Sequence, residues 1–243
     1  MKWIKRKPMV KPNKEDSPTE LLAKIRGIND INKFLNPTQE ELHDPYLIKN
    51  IEDASNRIIR AVKNNERILL SYDADADGVT ATTVMQRYLL NYTDNVDYIY
   101  NERNHGHGIH EQTRIDFLGK EDVDSNGNII NEEKQKRMDL NLINREKIAN
   151  TDLLIIIDSS SNDTEACKKL IDEYDVEIII LDHHAIERDN PYVLLVNPQQ
   201  DEDNYPNKFL SGAGVVFKVI QVMEDTLGQV DVWQYIDLVA VGM

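Results

Sequence analysis

The sequence predicts an α/β fold: a mostly parallel sheet with helices on both faces. Three observations lead there. Short apolar runs bounded by turn signals recur along the chain. Helical patterns alternate with them, which is the order of a sheet built from strand–helix–strand units. The runs are largely apolar, as strands of a sheet covered on both faces are.

Residues 15–50 read as short helices and loops. IEDASNRIIRAVKN (51–64) has apolar spacing suited to a helix packed on one face. ERILLSY (66–72) reads as a buried strand, GVTATTVMQRYLLNY (78–92) as a helix and NVDYIY (95–100) as a strand. A polar insertion covers about 121–147. TDLLIIID (151–158) is the strongest strand, followed by a helix near Asp163–Tyr174. VEIIILD (176–182) and YVLLVN (192–197) are further strands, GAGVVFKVIQVMEDTL (212–227) is a helix, and 231–241 forms another. The domain reading is a basic, helical lead-in over 1–50 and one catalytic domain over 51–243.

In such sheets ligands bind beyond the carboxyl ends of the strands. Asp73, Asp75 and Asp77 follow ERILLSY, Asp158 ends LLIIID, Asp182, His183 and His184 end EIIILDHH, and Asn197 ends YVLLVN. One such ending is ordinary, because Asp caps helices well after a strand. Four on one edge point to a metal site.

Three carboxylates spaced two apart are costly unless cations hold them together. D-x-D-x-D-G resembles the start of a calcium loop, but that loop needs a glutamate at position twelve, and counting from Asp73 the twelfth residue is Val84. The cluster therefore reads as a strand-end cradle for a catalytic divalent ion. DVDSNGNIINEE (122–133) does match the calcium pattern, with Asp122, Asp124, Asn126, Asn128 and Glu133 as candidate Ca²⁺ ligands. The competing reading is a polar hairpin, since Asn126-Gly127 favours a tight turn.

Adjacent side chains on an extended stretch point to opposite sides, so His183 and His184 cannot serve one ion in the same way. One can ligate metal while the other faces substrate. Imidazole mixed with carboxylates suits Mn²⁺ more than Ca²⁺. His105, His107 and His110 form a looser cluster without a nearby cysteine, so zinc is disfavoured and a substrate loop with Arg103 as phosphate contact is the alternative to a plain polar loop. Ser211 and Gly212 open a helix whose N–H groups could hold an anion, or whose small residues serve close packing.

A chain of 243 residues with 40% hydrophobic content can bury a real core. The net charge of −15 argues against a generic nucleic-acid coat, although a carboxylate site turns locally positive once metal loads. Six basic residues and Trp3 lie within residues 1–14, either a strand contact or a basic tail. No apolar run approaches the roughly 20 residues of a membrane span. The N-terminus MKWIKRKPMVKPNK lacks a secretory apolar region. The lone Cys167 excludes an internal disulfide framework and fits a cytoplasmic location.

YDADADGVTAT, LLIIIDSS, LDHHAIE, VNPQ and LSGAGVVFK, in this order, resemble the DHH phosphoesterase superfamily, and most of all its RecJ-like single-strand-specific 5′→3′ exonucleases. LLAKIRGINDINKFLNP and LHDPYLIKNIEDASNRIIRAV are similar to the RecJ lead-in, so the likeness covers nearly the whole chain outside 121–140. The resemblance implies a DHH-type domain in which two divalent ions, Mn²⁺ or Mg²⁺, activate water to cut single-stranded DNA. Residue by residue, it implies Asp75 and Asp77 as ligands with Asp73 beside them, and Asp158 as the carboxylate bridging both ions. It gives His183 as a ligand of the second ion, Asp182 as a supporting partner that would orient an imidazole, and His184 as a phosphate contact.

RecJ-like proteins carry a further aspartate ligand soon after the segment matched by DLVAVG, and then an accessory domain; Met243 precedes both. The expectations that follow are a fragment, one half of a split pair completed by a separate C-terminal chain, or a module that binds without cleaving. Ser71 stands where manganese pyrophosphatases have a histidine, which counts against that activity. Three functions follow: a single-strand exonuclease, a phosphodiesterase of short oligonucleotides or cyclic dinucleotides, and a scaffold for replication or repair proteins. Cleavage of a long strand against a dinucleotide separates the first two, and metal binding without turnover marks the third.

Overall fold

The structure is a computed structural model that describes residue 13 and residues 17–100, 107–115, 120–228 and 230–243. The basic stretch before Asn13, Lys14, Arg103 and His105 lie outside the described residues. The chain forms two compact units, Met1–His43 and Asp44–Met243.

In the first unit, α1 (Pro18–Arg26) starts with a capping box between Ser17 and Glu20 and stops at Gly27, whose φ of 75° is the left-handed conformation glycine adopts without strain. Asp30 caps the short α2 (Ile31–Leu35) through Lys33 N.

The second unit is built on five parallel strands: β1 (Ile68–Tyr72), β2 (Val96–Tyr100), β3 (Leu153–Ile157), β4 (Glu177–Leu181) and β5 (Leu194–Val196), in the order β2-β1-β3-β4-β5. Each lies within the predicted run, shortened at its ends. The helices are α3 (Ile51–Lys63), α4 (Ala76–Leu89), α5 (Ile109–Gln112), α6 (Glu132–Ala149), α7 (Thr164–Tyr174), α8 (Gly212–Leu227) and α9 (Ile236–Gly242). The predicted helix at 231–241 is divided: a 3-10 turn, Val232–Tyr235, precedes α9. Among the described residues no helix is long and apolar enough to cross a membrane.

Alternate strand residues serve opposite faces. Ile68, Leu70, Leu153, Ile155, Ile157, Ile179, Leu181 and Val196 pack with residues of α3, α4 and α8. Leu69, Ile99, Leu154, Ile156, Ile178, Ile180 and Leu195 pack with Ile109 of α5, Ile148 of α6 and Cys167 and Leu170 of α7. Residues 44–50, placed with the lead-in by sequence, belong to this unit: Ile48 is buried in its core, and Asn50 donates to the Leu195 carbonyl at 2.9 Å.

The polar stretch at 121–147 has regular structure of its own. Its larger part is α6, the crossover that a parallel β2-to-β3 step requires. The side chains α6 buries are mainly polar: Asn141, Asn144, Arg145 and Ile148. Asn144 donates to the Tyr100 and Gln112 carbonyls and Asn141 to those of Glu111 and Arg114. A helix docked by amides on carbonyls leaves little apolar periodicity to read.

The strand order creates a switch point. α4 leaves β1 over one face, while α7 leaves β3 over the other. Neighbouring strands whose crossovers diverge leave a crevice at their carboxyl ends.

Candidate functional site

The three aspartates after β1 have three different surroundings. Asp73 is buried; its Oδ2 lies 2.7 Å from His107 Nδ1 and its Oδ1 accepts from Gly108 N at 3.1 Å. Asp75 caps α4 by accepting from Gly78 N at 3.0 Å. Gly78 cannot carry a side chain cheaply, since a Cβ would stand 2.4 Å from the Asp73 carbonyl oxygen. Asp77 reaches across to α8, where its two oxygens accept from Gly212 N and Ala213 N, both at 2.7 Å. The anion held at that helix start is thus the chain's own carboxylate, favoured there by the unpaired N–H groups and the helix dipole.

Asp158 follows β3 with φ of 63°, a left-handed conformation that aspartate tolerates better than most residues. It is 2% exposed, and its Oδ1 is buried without a hydrogen bond of good geometry. His183 Nε2 lies 3.1 Å from that oxygen and 3.5 Å from Asp77 Oδ2. Burial pushes the Asp158 carboxyl up to about 6; proximity to His183 opposes this and the Asp77 charge adds to it. Contact with Asp158 raises the His183 pKa.

Asp182, at the end of β4, is fully buried and saturated. It accepts from Ser161 N and Oγ at 3.1 and 2.6 Å, and from the His183 and His184 backbone at 2.7 and 3.2 Å. Its Oδ1 lies 2.7 Å from His184 Nδ1. Burial pushes Asp182 up, but the hydrogen bonds from His184 and Ser161 win and hold it at about 2. The same contact lifts the His184 imidazole to about 9. Asn197 is a brace, donating to Ser161 Oγ at 2.9 Å and to the His184 carbonyl at 3.0 Å.

Asp158, His183 and His184 are a group whose donor atoms all lie within 4.8 Å of one another. A divalent cation fits this cluster. A buried, orphaned carboxylate oxygen beside an imidazole nitrogen and a second carboxylate is what a hard or borderline cation would satisfy. Gly212 gives the room, since a Cβ there would lie 2.7 Å from Asp158 Oδ1.

Other predicted residues sit differently. Ser211 caps α8 through Gly214 N. His107 faces Asp73, and His110 pairs with Asp163 at 3.0 Å. In the 122–133 stretch, Asp122 contacts Lys134 Nζ at 2.5 Å and Asn131 at 2.7 Å, while Asp124 accepts from Asn126 N and Asn128 N at 2.8 Å each. Val123 bridges antiparallel to Ile129, so the stretch has the form of a closed polar turn, and Glu133 stands in the first turn of α6. Sequence reasoning missed Ser161 and Gln112, which receives the Ser71 hydroxyl at 2.7 Å. Neither lies in a pattern; the signal for Ser161 is only its position three residues beyond Asp158.

A family model described as the DHH family, N-terminal domain, matches residues 67–243. The chain belongs to the DHH family. The DHH match therefore takes in all five strands and every acidic and histidine group of the candidate site. The chain is 27% identical over 226 residues to YorK of Bacillus subtilis, a candidate single-strand DNA-specific exonuclease from the SPbeta prophage, covering 93% of this chain and 33% of YorK. It is 28% identical over 211 residues to the single-stranded-DNA-specific exonuclease RecJ of Bacillus subtilis, covering 86% of this chain and 22% of RecJ. The chain thus spans a third or less of these relatives. The DHH fold superposes on the Mn²⁺ complex of Thermus thermophilus RecJ with a TM-score of 0.63 at 23% identity, over 90% of this chain and 27% of that one.

Proposed function

We propose that this DHH chain is the catalytic part of a metal-dependent phosphodiesterase that trims single-stranded DNA from its 5′ end. The observation that carries the reading is the orphaned Oδ1 of buried Asp158, 3.1 Å from His183 Nε2 at the sheet's switch point. Asp75, Asp77, Asp158 and His183 would hold two Mn²⁺ or Mg²⁺ ions, with Asp73 beside them. When bound, such ions supply Lewis acidity and lower the pKa of water.

The chain's own residues do the rest. Gly212 and Ala213 orient the Asp77 carboxylate through two backbone bonds. Asp182 holds His184 by its Nδ1, a contact that raises the imidazole pKa. The other ring nitrogen, Nε2, is left to meet a phosphate oxygen as negative charge builds. Ser161 and Asn197 in turn hold Asp182 and His184 in place.

The test is Mn²⁺-dependent degradation of a 3′-labelled single strand by the wild type and by Asp158→Asn. Loss of nucleotides from the 5′ end in the wild type alone is the expected result. Equal turnover in the variant overturns the site, and no cleavage by a folded, Mn²⁺-binding wild type overturns catalysis by this chain alone. A dinucleotide run in parallel reports whether short substrates suffice.

A further inference from the structure

Parallel sheets normally have both faces covered. Here the α4 side of β2 is not: Tyr98 is 42% and Tyr100 38% exposed. In the β1–β2 register Tyr72 pairs with Tyr100 and Leu70 with Tyr98, so these rings share one face. Tyr72 stacks on Tyr100 with centroids 5.9 Å apart and planes 21° apart, and meets Tyr98 at 6.2 Å. At that spacing no base enters between the rings; together they form a platform.

Tyr72 and Tyr98 of this platform floor a groove of about 200 Å³, whose other wall is Val79, Thr82, Thr83 and Gln86 of α4, and Tyr100 backs Tyr72 from beside it. The groove is built from the strand and the helix that flank the first aspartate cluster. Tyr72 immediately precedes Asp73, and Asp75 caps α4. In a chain with 43 acidic residues, none of the six groove residues is charged. Lys147 Nζ stands 5.4 Å from the Tyr98 ring, paired with Asp97 at 2.9 Å. Among the described residues a polyanion meets no carboxylate along the groove walls, and its bases find aromatic faces.

We infer that this groove is a base-stacking track for the single strand whose phosphodiester lies at the Asp77–Asp158–His183 site. The inference rests on the phosphodiesterase reading for the identity of the strand. Aromatic stacking tolerates any base, which suits an enzyme moving along a strand. The polar rim of Thr83 and Gln86 leaves the strand free to slide.

The experiment is fluorescence anisotropy of a 15-nucleotide oligo(dT), labelled at its 3′ end, with the whole chain in EDTA so that nothing is cut. Tyr98→Ser and Tyr100→Ser are each expected to weaken binding about tenfold, the range of one lost stacking contact. Tyr98→Phe keeps the ring and is expected to bind like the wild type. Both positions are solvent-facing, and a thermal melt confirms that the variants fold. An unchanged Kd in both serine variants overturns the inference, as does a phenylalanine variant as weak as the serine one. A serine variant that alters only the oligomeric state also overturns it, because the face would then be a protein contact. Mn²⁺-dependent cleavage by the wild type is read separately: cleavage with no tyrosine effect removes the track and leaves the phosphodiesterase reading. Tyrosine-dependent binding without cleavage does the reverse.

Discussion

Asp77 and Gly212 are joined across 135 residues of chain: Asp77 Oδ2 accepts from the Gly212 backbone N–H at 2.7 Å. On its other side Gly212 abuts Asp158, whose Oδ1 would stand 2.7 Å from any Cβ placed there. One glycine therefore sets the spacing between two carboxylates of the candidate metal site.

Gly212→Ala tests this directly. The added methyl meets a buried carboxylate rather than a flexible chain end, so it must displace Asp158 or α8. Overpacking of this kind costs about 1–3 kcal/mol. The melting temperature is expected to fall by roughly 2–10 °C, and calorimetry is expected to show weaker Mn²⁺ binding. Wild-type Mn²⁺ affinity in this variant would mean that Asp77 and Asp158 do not act on a common ion.

Metal loading should be visible as stability. A ligand at 100 times its Kd adds about 2.7 kcal/mol, so saturating Mn²⁺ is expected to raise the melting temperature by about 5–10 °C. EDTA reverses the gain. Asp158→Asn, which retains a side chain tolerant of the left-handed φ of 63°, is expected to lose most of it. A full Mn²⁺ shift in that variant contradicts the ligand assignment.

Glu133→Gln is expected to leave strand cleavage within about twofold, as for a surface change remote from catalysis. Glu133 sits in the first turn of α6 beyond the Asp122–Asn131 turn, and no residue of that stretch belongs to the Asp158 cluster. A large loss of activity would give the turn a role in the site.

Acid sensitivity has a separate source. Buried Arg57 of α3 clamps Glu177 at the start of β4 through two bonds of 2.7 and 3.0 Å. Arg57 holds the Glu177 carboxyl below its ordinary value of 4.5. A carboxyl lowered on folding contributes stability above its unfolded value and loses it as pH falls through the folded one. The wild type is thus expected to lose stability from about pH 4.5 downward, and Glu177→Gln to flatten that part of a plot of melting temperature against pH. A plot of unchanged steepness would assign acid sensitivity to other groups.

The strands and their polar ends were legible because both signals are local. A run such as LLIIID is apolar throughout since both faces are covered, and Asp158 at its end has left the sheet. The same logic placed Asp73, Asp182 and His183 on one edge. α6 was not legible, because Asn141, Asn144 and Arg145 dock it by hydrogen bonds that carry no hydrophobic period. Asn197 read as metal-capable, yet the structure uses its amide to hold Ser161 and His184.

By itself, the sequence determined the class of fold, the positions of the strands and the set of acidic and histidine residues at their carboxyl ends. Those follow from side-chain period and from the cost of leaving polar groups inside a sheet. Only the tertiary structure decided that β1 and β3 are neighbours, that Asp77 belongs to the start of α8, and that Asp182 is saturated while the buried Oδ1 of Asp158 meets His183 at 3.1 Å without a hydrogen bond of good geometry. These depend on which faces pack together and which N–H groups then meet which carboxylate, contacts between residues far apart in the chain that no local pattern records.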